Sequence, residues 1–167
     1  MRLPFGELAG MLSREDPDRR ALVAELLGKV FASRTQAMSE ADRGRIIAAL
    51  IECMDTAHVR LRTQAIEALG RVRAAQAVGP ITLLLDRPDG DRLERVAIPA
   101  LAAIGTREAV RTLERLARSG TSQAVREAAA SAYITVTKPA DPGAQVRRLL
   151  WEQPDTALEK RVLVEGN

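Results

Sequence analysis

Arg107, Arg111, Arg115 and Arg118 recur at i, i+4, i+8 and i+11. At about 100° per residue, a helix gathers all four within about 80° of arc. A guanidinium presents a planar fork of donors that matches a carboxylate or phosphate bidentately, so such a row could hold an acidic protein segment or a nucleic-acid backbone. The same stretch carries Glu108 and Glu114, placed to pair with Arg111 and Arg118 for about 0.2–0.5 kcal/mol each. A solvated, internally paired face therefore stands beside the binding reading. Other residues with chemistry are sparse. One histidine, His58, cannot build a multi-histidine metal site, and one cysteine, Cys53, cannot form an internal disulfide. Cys53 lies between Ile51 and Met54 and reads as a buried thiol; His58 sits in a turn before a helix and reads as a surface or capping residue. There is no Ser-His-Asp arrangement, Gly-rich phosphate loop or placed pair of carboxylates. The expectation is a non-enzyme with no catalytic residue, cofactor or metal.

Composition says what must position those arginines. The 167 residues suit about one domain, 46% are hydrophobic, and only 2% are aromatic. Alanine fills the difference with 28 residues. Ala- and Leu-rich, aromatic-poor chains favour close-packed helices over sheets. A net charge of +3 is too mild to imply nucleic acid by itself. Arginine outnumbers lysine 22 to 3, which reads as the coding bias of a GC-rich, bacterial genome. Met1-Arg2-Leu3-Pro4-Phe5-Gly6-Glu7 lacks the apolar run of a secretory signal, and the longest apolar stretch, Val78 to Leu85, is interrupted by Gly79, Pro80 and Thr82. The expected location is the cytoplasm, without a membrane.

Helical periodicity covers nearly the whole chain. Asp16-Pro17, Ser39 with Asp42 three residues on, Thr106, Thr121 or Ser122, and Asp141-Pro142 are start signals. Gly70, Gly105 and Ser119-Gly120 are stops. Eight helices of about 12–17 residues follow. Their first members share a phrase. Leu61-Arg62-Thr63-Gln64-Ala65-Ile66-Glu67-Ala68-Leu69-Gly70 returns as Val96 to Gly105, then as Val125 to Tyr133, with a degenerate copy at Arg19 to Gly28. Second members match too, Ala77-Val78-Gly79-Pro80-Ile81 against Ala109-Val110-Arg111-Thr112-Leu113. Two helices repeating in the low thirties are the signature of an α-solenoid.

The phrase, followed by Ala-Val-x-Pro-Ile, resembles HEAT repeats, in particular the short HEAT-like repeats of the phycobilin-lyase type, over roughly residues 16–153. The resemblance implies an all-α solenoid of about four helix pairs, often kinked by a proline in the first helix, as Pro99 would do here. Residues 1–15 would form an N-terminal capping segment, and 154–167 a tail or second cap. It also implies that second helices line a concave binding groove. By the repeat offset, that groove would present Gly44, Ala48 and Glu52, then Ala75, Gly79 and Leu83, then the four arginines, then Gly143, Arg147 and Trp151. Within the arginine-bearing helix, Val110, Leu113, Leu116 and Ala117 would form the buried side. Leu83 and Trp151 are anchor types for protein interfaces, although Trp151 could equally cover the last repeat.

The expected partner is a protein segment, acidic or amphipathic, held by Arg107, Arg111, Arg115, Arg118, Leu83, Gly79, Arg147 and Trp151. HEAT-like DNA glycosylases suggest the alternative of a nucleic-acid cradle. Against it, the arginine row does not continue into the first two units, and aromatic residues to stack on bases are scarce. HEAT-like metal hydroxylases use paired His-Glu motifs that a single histidine cannot supply. The apolar ends, Leu3, Phe5, Leu8, Met11 and Leu12 at one side and Leu158, Val162, Leu163 and Val164 at the other, are either caps or surfaces for self-association.

Overall fold

A computed structural model describes residues 5–14, 16–33, 39–87 and 93–137. The chain divides into two units, Met1–Val136 and Thr137–Asn167, and apart from Thr137 every described residue belongs to the first. The elements are α1 (Phe5–Arg14), α2 (Pro17–Ser33), α3 (Glu40–Met54), α4 (Val59–Arg71), a single 3₁₀ turn (Ala75–Ala77), α5 (Val78–Leu85), α6 (Glu94–Ile104), α7 (Arg107–Ser119) and α8 (Gln123–Thr137). Among the described residues there is no strand. In chain order the repeat groups the helices as α2–α3, α4–α5 and α6–α7, with α8 opening a fourth unit. Asp141-Pro142 and the second helix expected after it lie outside the described residues.

The capping chemistry sets these boundaries. Asp16 Oδ1 accepts from the Asp18 and Arg19 amides at 3.1 Å, with Pro17 in the first helical position. Ser39 Oγ accepts from Asp42 N, Thr106 Oγ1 from Ala109 N, and Ser122 Oγ from Val125 N. Between Thr121 and Ser122, Ser122 is thus the cap. Thr121 instead satisfies an acid, with its amide and hydroxyl both donating to the buried carboxylate of Glu94, in the first turn of α6.

First helices stack on first helices, α2 on α4 and α4 on α6, and this packing forms the spine of the unit. Small residues make it possible. A Cβ placed on Gly70 would lie 2.6 Å from Ala100 Cα and 2.8 Å from its Cβ, so α4 and α6 meet almost backbone to backbone. Gly28 occupies the matching repeat position and approaches Ala68 Cα to 3.6 Å by the same measure. The third copy, Gly105, does a different job: it ends α6 at φ +67°, a left-handed conformation that costs glycine nothing. Around this spine Leu61, Ile66, Leu69, Ile81, Leu101 and Leu113 are fully buried. Each such side chain contributes about 1.5–3 kcal/mol relative to exposure.

The arginine of the repeat phrase is also structural. Arg62 Nε donates to the Thr56 carbonyl at 3.0 Å, and Arg126 Nη1 to the Gly120 carbonyl at 2.9 Å, each reaching six residues back to fix the turn that enters its helix. Pro99 lies on the exposed side of α6 and has no amide for the Arg95 carbonyl.

At the N-terminal end, α1 packs mainly on α3 and also on α2, so it lies against the second-helix layer. It buries Phe5, Leu8, Ala9 and Leu12 and leaves Met11 partly exposed; Leu3 is outside the described residues. Leu22 and Leu26 remain exposed on α2.

Two glycine substitutions test the spine. Gly44 is an exposed position of α3 with nothing near its missing Cβ, so Gly44→Ala should raise stability by about 0.5–1 kcal/mol through backbone entropy. Gly70→Ala should instead lose about 1 kcal/mol or more, because overpacking overrides the same entropic gain. Urea unfolding of the two variants checks both signs.

Candidate functional site

The second-helix layer presents α3, α5 and α7. Gly44, Ala48 and Glu52 of α3 are exposed, as are Ala75 before α5 and Leu83 within it. Gly79 is half-buried, and the Glu108 carboxylate lies 3.9 Å from where its Cβ would be. Arg107, Arg111, Arg115 and Arg118 are all exposed along α7. Arg147 and Trp151 lie outside the described residues, as does Gly143.

The buried side of α7 differs in detail from the sequence expectation. Leu113 and Leu116 are buried, but their companions are Ala109 and Thr112, while Val110 and Ala117 are only half-buried. Thr112 can enter the interface because its hydroxyl is satisfied twice. It donates to the Glu108 carbonyl at 3.1 Å and, with that proton committed, accepts from Thr82 Oγ1 at 3.1 Å. Hydropathy alone would not place a threonine there. This contact seats α7 against α5.

The four arginines are not equivalent. Arg115 Nη1 donates to Asp86 Oδ1, just past the end of α5, at 2.5 Å. Arg118 Nη2 donates to Glu114 Oε1 at 2.5 Å, the i,i+4 pair that the sequence contains. Among the described residues, Arg107 and Arg111 have neither an ion pair nor a hydrogen-bond acceptor for their side chains. The Arg115–Asp86 link has a counterpart one unit earlier, where Arg87 Nη1 donates at 2.9 Å to Asp55, the residue capping the end of α3. An acid just past one second helix is thus tied to an arginine of the next pair.

Beside the Arg87–Asp55 link, Ile51, Met54, Pro80, Leu83 and Leu84 line a cleft of about 190 Å³ between α3 and α5. Its walls are apolar, and Leu83 on its rim is 67% exposed. Periodicity read helix by helix could flag Leu83, but not a cleft made by two helices some thirty residues apart.

Cys53 and His58 turn out to be structural. Cys53 is fully buried; Arg20 Nη2 lies 3.4 Å from its Sγ, and the thiol points at the Leu12 carbonyl at 3.6 Å. Burial pushes the thiol pKa up, against the opposing pull of the Arg20 guanidinium. Arg20 Nε beside it is buried without a hydrogen-bond partner. His58 caps α4 by accepting from Leu61 N at 3.3 Å, and its other ring nitrogen lies 3.3 Å from Asp18 Oδ1. Among the described residues, no three His, Cys, Asp or Glu side chains come together as a metal-binding group. No described helix is long and apolar enough to cross a membrane.

Paired helices stacked through their first members, with an open second-helix layer, define an α-solenoid. A family model for HEAT repeats matches residues 47–134, more than half of the chain, and the protein belongs to that family. No curated protein matches it.

A thiol whose pKa is raised on folding stabilises the native state below the unfolded thiol value, and that contribution is lost as pH rises toward the folded value. Stability should therefore decline above about pH 8.5 in a component that Cys53→Ala removes. In the native protein, Cys53 should react with a disulfide reagent only as fast as the fold opens; thermal scans across pH and thiol titration check the two.

Proposed function

We propose that the protein is a non-catalytic interaction module that holds an acidic or amphipathic segment of a partner protein on its second-helix face. The family supports the coarser part of this reading, since HEAT repeats commonly serve as protein-interaction scaffolds. The observation that carries the finer part is the pair Arg107 and Arg111. They are exposed, one helical turn apart on one helix face, and without a partner among the described residues. Arg14, Arg73 and Arg95 are also exposed and unpaired there but stand singly on separate elements, while Arg62, Arg87, Arg115, Arg118 and Arg126 all have a partner.

Local helix physics disfavours both. Arg107 is the first residue of α7, where the positive end of the helix dipole costs a cation about 0.3–1 kcal/mol. Two like charges at i,i+4 cost about 0.2–0.5 kcal/mol more. A carboxylate bridging the two guanidiniums would relieve both penalties and form charge-assisted hydrogen bonds. Arg115 and Arg118, already paired, would shape the site more than bind. Gly44 and Ala48 leave room for a partner backbone to lie close to α3. The basic row is confined to α7, and its counterparts on α3 and α5 include Glu52 and Leu83. A nucleic-acid backbone would need the positive charge to continue.

The test is the double variant Arg107→Glu/Arg111→Glu. It should fold with stability within about 0.5 kcal/mol of the parent or above it, since the change at Arg107 suits the dipole. In pull-downs from host lysate treated with nuclease, a protein retained by the parent should be lost with the variant, at least tenfold by quantitative mass spectrometry. A retained protein indifferent to the substitution, or nucleic acid in its place, would overturn the assignment.

A further inference from the structure

Resting on that face as the binding surface, we propose that the cleft between α3 and α5 is an anchor pocket for one large apolar side chain of the same partner segment, whose acidic residues lie over Arg107 and Arg111. The partner is thereby an acidic helix with a single buried anchor, such as leucine, methionine or phenylalanine.

The first argument is size and lining. A volume of about 190 Å³ falls short of the roughly 300–1,000 Å³ of pockets that enclose small-molecule ligands, whereas about 150 Å³ already accommodates a benzene ring. Ile51, Met54, Pro80 and Leu84 supply an apolar wall, and the Arg87–Asp55 pair closes the polar end of the rim with its charges already matched. A partner side chain would therefore meet no unpaired charge inside.

The second argument is position. The Thr82–Thr112 hydrogen bond holds α5 and α7 in contact, and the next residue on α5 and the preceding one on α7 are Leu83 and Arg111. One segment crossing the layer from α3 toward α7 can thus fill the cleft and then meet the free guanidiniums. Leu83, large, apolar and exposed, would become the covered centre of that contact, while Arg111 would stand at its polar rim. At its α7 end the path meets the unpaired guanidiniums of Arg107 and Arg111, which suit acidic residues of the segment; the exposed acids it passes are Glu52 on α3 and Glu108, whose carboxylate lies toward Gly79. An all-apolar ligand would leave Arg107 and Arg111 desolvated and unpaired, a penalty an acidic segment avoids.

The experiment is selection from a displayed library of random 16-residue peptides against the full chain, followed by fluorescence anisotropy of the enriched peptides with parent, Leu83→Asp and Arg111→Glu proteins. Both positions are exposed, and far-UV circular dichroism with a thermal scan confirms that each variant folds. Enriched peptides should combine one large apolar residue with acids one to two helical turns away. Leu83→Asp should weaken them at least tenfold, and Arg111→Glu at least fivefold. Replacing the apolar residue of the peptide by alanine should have no further effect in Leu83→Asp. Acidic peptides that lose affinity with Arg111→Glu but not with Leu83→Asp would overturn the anchor pocket while leaving the basic face standing. No enrichment, or binders indifferent to both substitutions, would overturn both.

Discussion

Close approach between successive first helices is the constraint on which the rest of the molecule depends. Gly70 meets Ala100 at a separation that admits no side chain, while Gly28, at the matching position, faces Ala68 at ordinary van der Waals distance. Helices this close need small residues at every repeat, so the alanine-rich, aromatic-poor composition follows from the spine. Once the first helices are locked, the second helices settle against them, α3 on α4, α5 on α6 and α7 on α6. The α5–α7 contact includes a part-buried hydrogen bond between Thr82 and Thr112.

That arrangement divides the arginines by role. Arg62 and Arg126 sit at one position of the repeat phrase and lock incoming turns by binding carbonyls six residues back. Arg87 and Arg115 tie the end of one second helix to the next pair. Exposed pairs of this kind contribute about 0–1 kcal/mol each, so they align the layer more than they stabilise it. On the second-helix layer this leaves Arg107 and Arg111 of α7 exposed and unpaired, and Leu83 of α5 exposed on the rim of its cleft. Charges without a partner and an apolar hollow on one layer are a poor arrangement for an isolated molecule and a good one for half of an interface.

The local rules of helix starts and stops made most of the fold legible in the sequence. Asp16, Ser39 and Thr106 cap as their spacing implies, and Gly105 stops α6 as a left-handed glycine should. What sequence could not give is what depends on contacts between units. Val110 and Ala117 yielded the buried side of α7 to Ala109 and Thr112 because a hydroxyl with two partners is cheaper to bury than its hydropathy implies. The exposure of the arginine row followed from helical phase, but its division into paired and unpaired members depended on Asp86, nearly thirty residues earlier. The cleft needed two helices to exist at all.

Amide hydrogen exchange on the protein with and without its captured partner tests the central claim most directly, because it locates the contact without altering the chain. Slowed exchange concentrated in Val78–Leu85 and Arg107–Ser119 is the predicted result. Protection of the exposed sides of α2, α4 and α6, with α5 and α7 unchanged, would place the partner on the first-helix layer and contradict the account.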